Sequence, residues 1–297
     1  MLKYYITFCI LAISQIIIGQ IRIPFQLTSF NNISFKAIVN EKDTVQLMFH
    51  TAANAMTLTE EATKKLKTIN FDTSIDGVKS WGGSNNEARV SNHNTLQIGS
   101  LTWKDVEITE NKNSGQFTDG KFGINLFSDK VMQIDFDKNV LIISDKLPKK
   151  LKKYTKLKLS FENDMLFVEA NCAINADSTW SNNFLLHSGY AGSILLDDKF
   201  ANDHKLSERL KITGEKELKD AYGNSVKTQK AILPIFKIEN HVLSDISVGF
   251  FAGAIGRQKM SSVGGDVLKR YNWVIDAKRA FVYLKPNGNF KMPYTKV

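Results

Sequence analysis

The chain repeats itself once, and this internal repeat is the sequence feature that most constrains its fold. Each half carries an apolar stretch that ends in a histidine followed by a hydroxyl residue, over residues 45–51 and 183–188. Each half later carries an apolar-glycine motif, centred on Gly123 and Gly264. The two histidines lie 137 positions apart and the two glycines 141. Offsets this similar indicate two duplicated domains.

The segments between these landmarks are short, rich in β-branched residues and separated by turn residues. This pattern predicts an all-β fold, predominantly strands with short helices, rather than long amphipathic helices. We place the two homologous lobes at residues 21–148 and 159–297, joined by a basic linker over residues 149–158. A glycine-containing hairpin is expected in each lobe, at residues 81–84 and 222–225.

The N-terminus has the pattern of a secretory signal over residues 1–20, because Lys3 precedes an apolar stretch over residues 4–18. An uncleaved N-terminal anchor is the alternative. No later segment is apolar for long enough to cross a bilayer. We therefore predict a periplasmic or secreted protein without a stable membrane span after signal cleavage. Cys172 would then be the sole cysteine, and we expect it to be a small buried apolar residue.

The formal net charge is +9, and seven lysines lie within residues 146–158. A solvated linker is the simplest interpretation of this stretch, and attraction to an anionic surface or acidic polymer is the alternative. The stretch lacks a series of interleaved aromatic residues on which nucleic-acid bases could stack. Nucleic acid is therefore not predicted as a partner.

The paired motifs together resemble those of secreted bacterial aspartic peptidases of the pepsin and retropepsin type. In that family each lobe has an apolar strand ending in Asp-Thr/Ser-Gly, followed later by a hydrophobic-hydrophobic-Gly loop. Here the loops correspond to residues 119–123 and 262–264. The resemblance covers nearly all of the chain after residue 20. It implies a bilobal pepsin-like acid-protease barrel fold with a cleft between the lobes.

The resemblance places the family's two catalytic aspartate positions on His50 and His187. Paired carboxylates share one proton and so act as acid and base on a water molecule. Two imidazoles can share an N–H···N hydrogen bond when both are neutral, and they repel each other when both are protonated. The aspartic mechanism is therefore not expected. The resemblance also implies support for the site by Thr51, Ala52, Ser188, Gly189, Gly123 and Gly264. The hydroxyls of Thr51 and Ser188 are expected to bond across the lobe interface, and Ala52 departs from the family's glycine.

Four interpretations of the histidine pair stay open. The chain is a pseudoenzyme that binds polypeptide in the interlobe cleft, or a noncanonical peptidase that uses the pair as acid and base. A metal site, zinc foremost, is the third, although the sequence names no further ligand. A purely structural pair, bonded to each other, is the fourth.

The predicted flap and substrate contacts are Trp81, Gly82, Tyr222 and Gly223. We predict no cofactor besides this possible zinc, and a monomer, because one chain supplies both lobes.

Overall fold

The computed structural model describes residues 19–80, 83–251 and 258–295. The first half of the chain forms β1 Ile21–Pro24, β2 Gln26–Leu27, β3 Ile33–Val39, β4 Asp43–Phe49, β5 Met56–Thr59, β6 Thr73–Ser80, β7 Gly83–Ile98, β8 Leu101–Asn111, β9 Gly120–Phe122, β10 Val131–Asp135 and β11 Val140–Ser144. Its helices are α1 Glu60–Thr63 and a 3-10 helix over Ile124–Phe127.

The second half forms β12 Thr155–Lys158, β13 Ser160–Glu162, β14 Met165–Asn175, β15 Ser178–His187, β16 Ile194–Leu195, β17 Lys211–Lys219, β18 Ser225–Ile238, β19 His241–Phe250, β20 Ser261–Gly264, β21 Tyr271–Ile275 and β22 Phe281–Pro286. Its helices are α2 Asp198–Asp203, α3 Leu206–Arg209 and α4 Gly265–Leu268. Within the described ranges, no helix is long and apolar enough to cross a bilayer.

Each half builds its own sheet, and the two sheets have the same strand order. The first runs β2-β3-β4-β9-β5-β8-β7-β6 and the second runs β13-β14-β15-β20-β16-β19-β18-β17. Each sheet also closes on itself through one further pairing, β3 with β7 and β14 with β18. The predicted fold, predominantly β and built from two homologous lobes, is therefore confirmed.

The strands form because apolar residues alternate with polar ones along them, which fits the two-residue period of a strand. In β14, Leu166, Val168 and Cys172 are buried while Glu169 is exposed. Cys172 is therefore a buried apolar residue, as predicted, and burial strongly raises the pKa of its thiol. This alternation directs one face of each sheet into the core and leaves the other face more exposed.

A third sheet joins the two halves. Its order is β1-β11-β10-β21-β22-β12, so three strands come from each half. The seam is the antiparallel pairing of β10 with β21, which places Ile134 opposite the buried Trp273. β12, at one edge of this sheet, occupies the last four positions of the predicted linker at 149–158. That part of the stretch is sheet rather than connection, and the remaining lobe boundaries stay a prediction.

Candidate functional site

The two histidines meet where the central strands of the two lobes end. β4 runs parallel to β9 and leads into His50, while β15 runs parallel to β20 and ends at His187. The imidazole ring centroids are 4.8 Å apart and the ring planes stand at 85°. The rings therefore pack edge to face. Within the described part of the chain no hydrogen bond joins them, which argues against the interpretation that they close the interface by bonding to each other.

The residues after the histidines lock the two lobes together. The backbone N–H of Thr51 donates to Oγ of Ser188 at 3.0 Å, and the backbone N–H of Ser188 donates to Oγ1 of Thr51 at 2.9 Å. Each hydroxyl also donates to a carbonyl of the opposite lobe: Thr51 to Leu186 at 2.5 Å and Ser188 to Phe49 at 2.7 Å. Both side chains are buried, so these bonds are shielded from water and fix the spacing of the histidine-bearing loops.

The paired glycines Gly123 and Gly264 occupy positions that admit no side chain. A Cβ on Gly123 would lie 1.8 Å from the carbonyl oxygen of Ala53, and one on Gly264 would lie 2.2 Å from that of Gly192. Non-bonded carbon and oxygen atoms do not approach this closely. The loop after each histidine can therefore pack against Gly123 or Gly264 only because no side chain is present there. The same requirement in both halves explains why these residues mark the repeat.

Gly189 and Ala52 differ in what they do for the histidines. A Cβ on Gly189 would lie 2.2 Å from Cδ2 of His50, so this glycine makes room for the ring. The backbone N–H of Ala52 donates to Nδ1 of His50 at 3.2 Å, whereas Nδ1 of His187 is buried without a partner. In a neutral imidazole only one nitrogen carries a proton. His50 therefore holds its proton on Nε2.

Both imidazoles are neutral near pH 7. Burial lowers the pKa of His187 from 6.5 to about 4, with a further contribution from the charge of Lys121. Burial, His187 and Lys121 lower the pKa of His50 well below its ordinary value. Taking a cation out of water is costly, and a neighbouring cation adds repulsion. The electrostatic character of the site is thus set by two neutral rings and one ammonium group.

That ammonium group, on Lys121, is a site residue that sequence reasoning missed. Lys121 lies on β9 between the buried residues Gly120 and Phe122, opposite Met48 of β4. Residues opposite each other on paired strands point to the same face. Met48 leads two positions later to His50, so Lys121 faces the cleft. The available signal was a lone lysine between buried residues of a repeated motif.

A cavity of about 620 Å³ lies above the histidine pair. Its floor includes both histidines and Lys121, and its walls include residues of β6, of β8 and of the end of β17 with the turn that follows it. Tyr222, one of the predicted flap contacts, lines it. Gly223 lies at the hairpin turn with φ of 86°, a conformation that favours glycine. Trp81 and Gly82, the other predicted flap contacts, lie outside the described residues.

The two hairpins contact each other across the top of the cavity. The hydroxyl of Ser80 on β6 donates to the carboxylate of Asp220, which follows β17. The side chain of Asn224 donates to Asn86 of β7 at 3.2 Å. The carbonyl of Ala221 also accepts backbone N–H groups of the first lobe at 2.9 Å. The cavity is consequently bridged by contacts from both lobes.

The negative charge of Asp220 raises the pKa of Lys121 against the lowering by burial. Both carboxylate oxygens of Asp220 accept hydrogen bonds. Although burial alone would raise the pKa of Asp220, hydrogen bonds from Ser80, Asn224 and the backbone of Tyr222 lower it below its usual value. Asp220 therefore remains ionised and engaged in the hairpin turn.

The zinc interpretation lacks further ligands. Across the described ranges, no group of three or more histidine, cysteine, aspartate or glutamate side chains is placed to hold a metal ion. Protein zinc sites ordinarily use three or four such ligands. The histidine pair supplies two nitrogens at most.

No family model matches this chain, and no curated protein matches it either. Among solved structures, it is similar to the aspartic proteinase from Irpex lacteus, with a TM-score of 0.60 and 12% identity. The similarity covers 92% of this chain and 99% of that protein. The chain thus has the bilobal fold of pepsin-like aspartic proteinases. At this identity the likeness extends to the fold and no further.

Proposed function

We propose that this chain binds polypeptide in the cavity between its lobes and has lost the aspartic peptidase mechanism. The proposal rests on the positions of His50 and His187: the resemblance puts the family's catalytic aspartates there, and a cavity of about 620 Å³ lies above the pair. The support residues around them, Thr51 and Ser188 above all, still hold the two loops in register. A site that keeps its architecture and loses its acid–base pair is suited to binding without turnover.

The chemistry of the cavity floor supports the loss of the aspartic mechanism. That mechanism needs two carboxylates that share one proton. Here two neutral imidazoles pack edge to face beside Lys121, which is a cation. Asp220 lines the cavity but is engaged by the hairpin turn and by Ser80. No second carboxylate is paired with it there among the described residues.

The size and lining of the cavity suit a short peptide segment. Its volume of about 620 Å³ lies within the range of roughly 300–1,000 Å³ that is usual for ligand sites. The hairpin walls offer apolar side chains, including Ile75, Val78 and Leu218, together with the aromatic ring of Tyr222. Apolar walls with a few polar groups on the floor recognise side chains and peptide groups together.

One observation favours the alternative, a noncanonical hydrolase. His187 is neutral and its Nδ1 has no hydrogen-bond partner, so this ring keeps a nitrogen that is free to accept a proton. General bases work best when their pKa lies near the operating pH. The depressed pKa values of His50 and His187 make both rings weak bases at neutral pH, so binding is the better supported function.

Digestion and binding assays on the purified chain distinguish the two functions. The chain and its H50A/H187A variant would be incubated with a peptide library across a broad pH range, with and without a chelator. Mass spectrometry would report cleavage, and a parallel pull-down would report retained peptides. We expect saturable retention without product. Cleavage that disappears in the variant would replace this proposal with the hydrolase, and chelator sensitivity would indicate a metal.

Export and a monomeric state are further parts of the proposal. Signal cleavage near residue 20 predicts an envelope or secreted protein, which N-terminal sequencing of the product from an exporting host would test. Because one chain supplies both His50 and His187, a monomer already contains the complete site. A solution mass of an obligate dimer would contradict this.

A further inference from the structure

We propose that Lys121, together with His50 and His187, forms a subsite for a carboxylate group of the bound polypeptide. This inference rests on the proposed binding function and specifies which ligands the cavity selects. The carboxylate is either the C-terminus of the ligand or an acidic side chain, since the two present the same group.

Lys121 is a cation that no carboxylate of the described residues contacts directly. Its side chain lines the cavity, and burial lowers its pKa. It makes no hydrogen bond or ion pair with any residue that the structure describes. A partly desolvated ammonium group without a partner is costly. An anionic ligand that reached Lys121 would remove this cost, and this favours anionic over neutral ligands.

The carboxylate of Asp220 forms no ion pair with Lys121. Its oxygens accept from Ser80, from the side chain of Asn224 at 2.8 Å and from the backbone N–H groups of Tyr222 and Asn224 at 2.9 and 2.8 Å. These bonds hold Asp220 in the hairpin turn, so it acts on Lys121 only through space. The other charged residues that line the cavity, Glu107 and Lys219, are exposed.

The histidines complete the subsite with hydrogen-bond donors. Because Nδ1 of His50 accepts from Ala52, its Nε2 carries a proton that can be donated to an oxygen. Nδ1 of His187 is buried without a hydrogen-bond partner. No bond therefore fixes the proton on Nδ1, and Nε2 of His187 can carry it. Neutral imidazoles and one ammonium suit a single negative charge better than they suit a cation, which Lys121 would repel.

The internal repeat shows that the first lobe places a charged residue where the second lobe places an uncharged one. Lys121 lies opposite Met48, two positions before His50, and Ser262 lies opposite Leu185, two positions before His187. Lys121 and Ser262 are therefore equivalent positions on opposite sides of the cleft, and both line the cavity. A symmetric cleft would accept a ligand in either direction. The lysine in the first lobe alone fixes the side of the cleft on which the carboxylate lies.

Retention of matched peptide pools by the immobilised full chain tests this inference. One pair of pools differs only in a free or amidated C-terminus, and a second pair differs only in Asp and Glu against Asn and Gln. We expect preferential retention of one carboxylate-bearing pool, and the pair that discriminates identifies its source. Titration calorimetry on the most enriched peptide then gives the Kd of each variant.

K121S gives the first lobe the residue that the second lobe already has at the equivalent position. We expect it to weaken binding by about 10- to 100-fold, the factor for one hydrogen bond to a charged group. K278S, which removes an exposed lysine in the turn between β21 and β22 that does not line the cavity, is the matched control and should bind like the parent. K121M repeats the test with an apolar side chain of similar length, and thermal unfolding verifies that each variant is folded.

The outcomes separate the two proposals. Equal retention of charged and neutral pools, with K121S binding like the parent, would overturn the carboxylate subsite and leave peptide binding intact. Retention of no pool above the level of H50A/H187A would overturn the binding function and the subsite with it. The acid-versus-amide comparison on the parent chain needs no variant, so it decides the question even where a substitution disturbs folding.

Discussion

Acidification should destabilise this fold through its two buried imidazoles. The pKa of His187 falls from 6.5 to about 4 on folding, chiefly by burial, and that of His50 is lowered as well. Between these values the unfolded chain binds more protons than the folded one. Stability is therefore fully present above pH 6.5 and is lost as the pH falls towards the folded pKa.

The magnitude follows from the proton-binding ratio of the two states. For His187 alone, the free energy of unfolding should fall by about 2 kcal/mol between roughly pH 7 and pH 4.5. His50 adds to this loss in the same direction, because its pKa is also lowered. A loss of this size is a large part of the net stability of an ordinary domain.

Urea unfolding followed by tryptophan fluorescence at several pH values measures the effect. The comparison is between the parent and H187N, whatever the absolute stability of the variant, because the change with pH is the readout. H187N should lose about 2 kcal/mol less than the parent over this range. H93N, which removes an exposed imidazole, is the control for deleting a histidine. Equal pH dependence of the parent and H187N would refute the reasoning.

Three further substitutions test the packing of the site and the tail. Thr51→Ala leaves the Leu186 carbonyl and one backbone N–H unpaired in a buried interface, so urea unfolding should show a loss of about 2–4 kcal/mol. Gly189→Ala places a methyl group against His50 and should cost about 1–3 kcal/mol and shift the imidazole NMR signals. Arg270→Met removes a buried guanidinium that donates to four carbonyls of residues 289–293, so limited proteolysis should cut the C-terminal tail.

Each of these has a matched comparison. Thr51→Ser keeps the hydroxyl and should retain most of the stability, whereas equal losses for both would show that the cross-lobe bonds contribute little. Gly288→Ala adds a methyl group at an exposed position, and a shift of the histidine signals there would contradict the local explanation. Tail cleavage at the same rate in the parent and Arg270→Met would contradict the anchoring role.

The repeat sufficed to predict the two-lobed β fold, because duplicated landmarks at similar spacing indicate equivalent strands in both halves. It also located His50 and His187 at opposing strand ends. The residues that a repeat requires on both sides, such as Gly123 and Gly264, were therefore the easiest to identify. At each of them a Cβ would meet a backbone carbonyl of the same lobe, at Ala53 or Gly192, so both halves keep the same glycine signal in the sequence.

Lys121 and the bridged hairpins were missed for a different physical reason. A lysine on a short strand is usually solvated, and only the pairing of β9 with β4 shows that this one faces the cleft. The contact of Ser80 with Asp220 joins residues from separate lobes, and no local pattern encodes it. The edge-to-face packing of the histidines likewise depends on the relative position of the two loops, which the buried hydroxyls of Thr51 and Ser188 determine.

The seam between β10 and β21 has a consequence for how this chain can diverge. Two separate half-length chains that met along such a seam would form a symmetric pair, and every substitution would appear on both sides of the cleft at once. Covalent linkage of the halves removes that restriction. Residue 121 can then be lysine while the equivalent residue 262 is serine. The two sides of the cleft can therefore differ in charge, although the strand framework around the seam keeps its two-fold arrangement.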